Sequence, residues 1–221
     1  MALYLALETA TDVPSLALGA PDDPGADLRI PSRRDLSREI ESAAGRLLGA
    51  HGVSPGGLAG VVVADGPGSF TGLRIGIAFA KGLCRAAGLP LLAAPSLLGA
   101  ARAAAKGGDV VVAEYDALRG DVYRAAYRLS AGGGGVEVVL APELASAGSA
   151  VAVAGAFTRA SAADASAGAL LRLVGVPGGA REVEDPAAWE PAYGRPAEAE
   201  ARLRARGGLP VGGGDRGSGA R

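Results

Sequence analysis

The chain has 221 residues, of which 49 are alanine, 36 glycine and only 9 aromatic, so it has few large core-filling side chains. A hydrophobic content of 49% with 20% charged residues excludes the disordered regime. With 22 basic against 23 acidic residues the formal net charge is -1, which excludes a global electrostatic pull toward nucleic acid or an anionic membrane.

In chain order, 3–7 is a short apolar run and 15–18 a second, joined by the polar stretch Glu8-Thr9-Ala10-Thr11-Asp12, which predicts a β-hairpin. Residues 35–50 carry Leu36, Ile40, Ala43, Ala44, Leu47 and Leu48 at helical spacing, and the pattern stops at His51-Gly52, where glycine supplies a left-handed cap. Residues 61–64 are a continuous β-branched run of the buried-strand kind. Gly66-Pro67-Gly68-Ser69-Phe70-Thr71-Gly72 is a tight loop followed by a helix to about Ala87, then a strand over 89–93 and a helix from Ser96 to about Ala105.

Lys106-Gly107-Gly108 reads as a joint between two domains, 1–106 and 107–206. Strands are expected over 110–115, 122–129 and 136–140, and helices over 160–173 and 197–206, the latter with Glu198-Arg202 and Glu200-Arg204 at the i, i+4 spacing. From 207 to 221 seven of fifteen residues are glycine, which predicts a disordered tail. Cys84 is the one cysteine, so no internal disulfide forms. The apolar stretch 86–101 is interrupted by Pro90 and Pro95 and falls short of the roughly 18 residues of a membrane span. The opening residues lead straight into a strand-like run that contains Glu8, without the charged and apolar regions of a leader, so a cytoplasmic protein is expected.

A strand, a Gly-rich turn and a helix together offer backbone N–H groups to an anion, so Gly66, Gly68, Ser69, Thr71 and Gly72 form a candidate phosphate loop. The loop lacks the lysine of a Walker motif and the spacing of a dinucleotide fingerprint. The competing reading is structural, with Gly66 and Gly68 permitting a tight turn and Gly72 close helix packing. Glu8, beside Thr9 and Thr11, is the best placed acid, either holding magnesium through water or ordering the hairpin.

The next helix has a basic stripe, Arg74, Lys81 and Arg85, and two bulky patches separated by Gly76, Ala80 and Ala87. One patch is Ile75-Phe79-Leu83 and the other Leu73-Ile77-Cys84. One covers the sheet and the other needs a neighbouring helix or a partner. His51 is the one histidine, so a His-paired metal site is excluded, and Cys84 among apolar residues reads as a buried inert thiol.

Taken together, Leu5-Ala6-Leu7-Glu8-Thr9-Ala10-Thr11, Gly66 to Gly76, Pro95-Ser96-Leu97-Leu98, Tyr115 to Tyr123 and Glu190-Pro191-Ala192-Tyr193 to Arg195 resemble the TsaB family. The resemblance runs from about Ala2 to Arg206 and implies an α/β, two-lobed fold of the actin, sugar kinase and Hsp70 type, a ribonuclease H-like architecture of mixed sheets with helices. It implies a non-catalytic subunit that pairs with a TsaD homologue, with a TsaE-type ATPase in the larger complex, and supports threonylcarbamoylation of adenosine 37 in tRNA.

The chain itself would then hold no cofactor, ATP and a metal belonging to the partner complex, and would touch tRNA only through that complex. Alone it would be a candidate homodimer. The family's pairing mode places Leu73, Gly76, Ile77, Ala80, Cys84 and Ala87 against the partner, leaving Ile75, Phe79 and Leu83 on the sheet. TsaD's H-x-x-x-H metal pair falls at Leu97 and Ala101, neither a ligand. Two departures are Glu8 in place of the family's usual aspartate and Leu36 in place of a common histidine. The competing expectation is an ATPase or small-molecule kinase using Glu8, Thr9, Thr11 and the Gly66 loop, with Asp116 as the candidate second acid. A peptidase reading lacks a nucleophile–base pair.

Overall fold

A computed structural model describes residues 1–130 and 134–194. The helix expected over 197–206 and the tail from 207 lie outside the described residues, as does part of the turn around Gly132.

The described residues form two sheets that share one plan. In the first, β1 (Tyr4–Glu8) pairs antiparallel with β2 (Ser15–Gly19), β2 continues to the short edge strand β3 (Leu28–Arg29), and β4 (Gly60–Ala64) joins β1 on the other side in parallel. β5 (Leu91–Ala94) adds to β4 in parallel. In the second sheet, β6 (Val110–Asp116), β7 (Asp121–Leu129) and β8 (Val136–Ser146) form an antiparallel meander, and β9 (Thr158–Ser161) joins β6 in parallel. The orders β3-β2-β1-β4 and β8-β7-β6-β9 superimpose in sequence and direction, so each lobe carries one copy of the same motif.

β4 reads Gly-Val-Val-Val-Ala and is buried at every residue, as a central parallel strand covered on both faces must be. On one face lie α1 (Leu36–Ala50) and α2 (Phe70–Ala87), which pack on each other and on the first sheet. α1 buries Leu36, Ile40, Ala43, Ala44 and Leu48 on one stripe, and His51 closes it, with Nδ1 2.8 Å from the Leu47 carbonyl oxygen before Gly52 turns left-handed at φ 63°.

The other face is shared between the lobes. α3 (Ser96–Ala104) leaves the first sheet after β5 and packs on β6, β7 and β9, while α4 (Ala167–Leu171) leaves the second sheet and packs on β1 and β2. The two helices meet at Gly99, where an added methyl group would run into the Leu170 side chain. Ser96 to Ala101 and all of α4 are buried. This exchange places the apolar centre of the molecule between the sheets.

The chain then returns to the first sheet through β10 (Arg181–Glu182), antiparallel to β5. β10 lies within the stretch 107–206 expected for the second lobe, yet its hydrogen bonds belong to the first. The helix expected over 160–173 resolves into the end of β9 and the five-residue α4, because Ser166 accepts the Ala169 N–H and starts the helix late. Among the described residues no helix is long and apolar enough to cross a membrane.

Candidate functional site

The two acids singled out from the sequence, Glu8 and Asp116, end β1 and β6, the equivalent strands of the two lobes. Glu8 is fully buried; its Oε1 accepts the Ala10 N–H at 2.7 Å and its Oε2 has no partner. Burial pushes the carboxyl up to about 8, against the Ala10 N–H, which lowers it, and with a smaller upward push from Asp27. Glu8 is therefore mostly protonated at neutral pH. Asp116 is exposed and its Oδ1 accepts the Leu118 N–H at 2.8 Å.

The Gly66 loop sits where β4 ends. Gly66 donates its N–H to Ser96 Oγ and returns its carbonyl to the Ser96 N–H, both at 2.9 Å, and Ser69 donates to the Ala10 carbonyl at 2.8 Å. Ser69 Oγ then caps α2 by accepting the Gly72 N–H at 3.1 Å.

The glycines of this stretch are explained by what a side chain would meet. A methyl group at Gly66 would strike the Ala192 carbonyl, at Gly68 Ala10, at Gly72 the Thr9 carbonyl and at Gly76 the Thr9 side chain. The side-chain direction of each of these four glycines is thus occupied by Thr9, Ala10 or Ala192, and the N–H groups of Gly66 and Gly72 are already bonded to Ser96 Oγ and Ser69 Oγ. Of the other predicted loop residues, Thr9 is buried with Oγ1 unpartnered, Thr11 donates to the Val13 carbonyl at 3.4 Å, and Thr71 is exposed.

α2 is oriented opposite to the expectation. Leu73, Gly76, Ile77, Ala80 and Cys84, expected at a partner, are buried in the chain's own core, and Ala87 is half-buried at the helix end. Ile75, Phe79 and Leu83, expected on the sheet, are half-buried, with Ala78, Gly82 and Ala86 exposed next to them. The physical reason is the close approach of Gly76 to Thr9: only the small-residue strip lets the helix axis come down to the β1–β2 hairpin, so that strip faces inward. Cys84 lies in the same buried strip, and burial pushes its thiol up to about 11, an inert state.

A strap runs over the outer side of this region, and sequence reasoning missed it. Asp65, between β4 and the loop, is 5% exposed and binds Arg181 at 2.6 Å, while its carbonyl accepts the Ala192 N–H. Burial raises the Asp65 carboxyl to about 6, the Arg181 guanidinium pulling the other way. Lys81 Nζ donates to the Trp189 carbonyl at 2.7 Å, and Lys81 and Arg181 both lie over the Trp189 ring. The Tyr193 ring meets Phe70 with centroids 4.7 Å apart and the ring planes tilted by 49°. An acid directly before a Gly-rich loop was the available signal for Asp65; nothing in the local sequence marks Arg181 as its partner 116 residues away.

In the second lobe Arg124 is 1% exposed, bonded to Glu114 at 2.6 Å and to the carbonyls of Ser149 and Ala150. Leu97 and Ala101, where a metal-binding histidine pair would fall, are both fully buried in α3. Among the described residues no group of three His, Cys, Asp or Glu side chains is placed to hold a metal.

Two lobes of repeated topology with helices exchanged between them define a protein of the actin, sugar kinase and Hsp70 fold class. The family model for TsaD, tRNA N6-adenosine threonylcarbamoyltransferase, matches residues 31–164, more than half of the chain, and the chain belongs to that family.

Within it the relatives are TsaB proteins, named for tRNA threonylcarbamoyladenosine biosynthesis. That of Escherichia coli K12 is 34% identical over 146 residues, 63% of each chain, and that of Bacillus subtilis 168 is 32% identical over 128 residues, 58% of this chain and 56% of the relative. The chain thus spans less than two thirds of the length of these curated relatives. Among solved structures, YeaZ from Pseudomonas aeruginosa aligns with a TM-score of 0.64 at 28% identity over 72% of this chain and 76% of that one. A second Pseudomonas aeruginosa structure, described as similar to peptidase YEAZ, aligns with a TM-score of 0.70 at 23% identity over 88% and 100%, which speaks to the fold.

Proposed function

We propose that this chain is a non-catalytic cytoplasmic subunit that pairs with a TsaD-type transferase and supports N6-threonylcarbamoylation of adenosine 37 in tRNAs reading codons that begin with A. The observation that carries the reading is the outward face of α2, where Ile75 and Phe79 remain half-buried beside exposed Ala78 and Gly82, between Arg74 and Arg85. An apolar strip of small and large residues with a charged margin is the surface a partner helix packs on.

The absence of chemistry in the chain itself is supported by three features. Glu8 carries a proton at neutral pH and is sealed from solvent, so it is a poor ligand for magnesium. The Gly66 loop is packed by Thr9, Ala10 and Ala192. The helices between the lobes interlock at Gly99 and Leu170, which opposes the domain closure a kinase of this fold uses.

Ala78→Arg tests the pairing face. Because Ala78 is exposed, the variant should fold and melt as the parent does, yet fail to capture the TsaD homologue and fail to restore the modified nucleoside, read by mass spectrometry of tRNA, in cells depleted of the native chain. Capture at parental strength would remove this face from the interface. Ala80→Arg, by contrast, places a charge in the core and should give unfolded protein. Phosphate release from magnesium ATP by the isolated chain that is lost in Glu8→Ala would overturn the non-catalytic reading in favour of the ATPase one.

A further inference from the structure

The first turn of α4 is seated on the first lobe by side chains from far away in the chain. The Ala167 N–H donates to Ser15 Oγ at 2.9 Å and the Gly168 N–H to Asp27 Oδ1 at 2.8 Å, ties that span 152 and 141 residues, while the Ala169 N–H donates to Ser166 Oγ at 3.1 Å. Ser15 stands opposite Glu8 in the β1–β2 register, and residues opposite each other on antiparallel strands share one face. The Glu8 carboxyl therefore lies on the face that seats α4.

That seat has no donor left for Glu8. Its Oε1 accepts the Ala10 N–H, its Oε2 has no partner, and the three N–H groups at the start of α4 are engaged elsewhere. Of the elements packed on β1, the strands β2 and β4 and the helix α4 carry no ionisable side chain. α2 sends Lys81 to the Trp189 carbonyl and Arg74 over the Phe70 ring, and its Arg85 is exposed. Burial raises the Glu8 carboxyl, the Ala10 N–H lowers it, and the charge of Asp27, of the same sign, raises it further. From the second lobe Tyr115 of β6 faces Glu8; burial raises its hydroxyl, and Glu8, Tyr127 and Asp164 add to that.

We propose that Glu8 is a proton-operated lock on the seat of α4: with its proton the helix lies on β1 and β2, and when the proton passes to solvent the helix lifts from them while the first sheet stays folded. A neutral carboxyl with one unpaired oxygen is tolerated in a dry seat, whereas a carboxylate there has neither water nor a second donor and faces Asp27. β1 is held by ladders on both sides, but α4 is five residues long and tied to the first lobe by two side-chain hydrogen bonds, so its departure is the smallest opening that lets water reach Glu8. The seated chain keeps the proton up to about pH 8 and an exposed carboxyl loses it near 4.5. Rising pH across that interval therefore favours the lifted helix, by up to about tenfold per unit. The lock acts between the lobes and is independent of the α2 pairing face.

Amide hydrogen exchange of the full chain between about pH 6.5 and 8, corrected for the intrinsic rate at each pH, tests the lock. Residues 167–171 should exchange faster than β4 at every pH, and their protection should fall roughly tenfold over the interval. Glu8→Gln removes the titration and should keep α4 protected with no such fall; Glu8→Met, also uncharged, takes its place if the glutamine variant does not fold. Exchange of α4 and β4 at one common rate would mean that Glu8 opens only with the whole chain, and would overturn the proposal. So would protection of α4 that stays constant with pH in the parent, or a fall that persists in the uncharged variant.

Discussion

The β1–β2 and β6–β7 hairpins hold equivalent places in the two sheets, each joining the central strand of its lobe to an antiparallel neighbour and each beginning at an acidic residue. In the first lobe the connection is buried: Glu8, Thr9, Ala10 and Thr11 are all shielded from solvent, and the Gly66 loop and α2 press on them through positions that admit no side chain. In the second lobe the helix after β9 packs away on β1 and β2, and the turn at Leu118 stands in solvent. One topology thus gives a corner dedicated to internal packing and a corner free to meet something else. The difference arises from the helix after the fourth strand of each lobe, 18 residues long after β4 and five after β9.

Substitutions at the two corners should therefore fail for different reasons. The largest effect is expected from Gly72→Ala. Its backbone is ordinary for any residue, so the cost is purely the collision with the Thr9 carbonyl, about 3 kcal/mol or more, seen as a fall of roughly 6 °C or more in melting temperature. A near-neutral result would show that the first corner has slack and that its glycines serve something other than packing.

Glu8 gives the next effect, through pH. The folded chain keeps this proton up to about pH 8, whereas the unfolded chain releases it near 4.5. The raised value means that the stability Glu8 contributes is complete below about pH 4.5 and is lost as pH rises to 8, with a slope of at most about 1.4 kcal/mol per unit. Asp65, raised to about 6, acts over the lower part of that range, from about pH 3.8 to 6, so denaturant melts between pH 6.5 and 8 isolate Glu8. Glu8→Gln should flatten the profile in that interval, and a slope that persists in the variant would show that another group carries it.

The smallest effect belongs to the exposed corner. Gly120→Ala meets no atom within 4 Å but must adopt φ 83°, which costs about 1 kcal/mol, or roughly 2–4 °C. A loss as large as that of Gly72→Ala would erase the contrast between the two corners.

Local pattern was enough for most elements. The continuous β-branching of 61–64 and the period of 35–50 act within a few residues, so β4 and α1 fall within one or two residues of expectation, and α2 ends at Ala87 as expected although it begins at Phe70, inside the stretch read as a loop. Pattern missed β3 and β10, two-residue edge strands with no periodicity of their own, missed the four-residue β9, and ended β8 at Leu140, short of Pro142. On an edge strand that proline needs no ladder partner, and β8 runs on to Ser146.

By itself the sequence determined that α2 has two apolar flanks, that one histidine cannot make a metal pair, and that the chain resembles a known family through its Gly-rich loop. Which flank of α2 faces inward was decided only by tertiary structure. Two flanks of similar hydrophobicity are equivalent on a helical projection, and what separates them is how closely the axis approaches Thr9, a distance between residues far apart in the chain. The same holds for Glu8. Its side chain reads as a metal-binding acid in sequence, and only the packing of α4, the hairpin and the second lobe around it removes the water that would keep it charged.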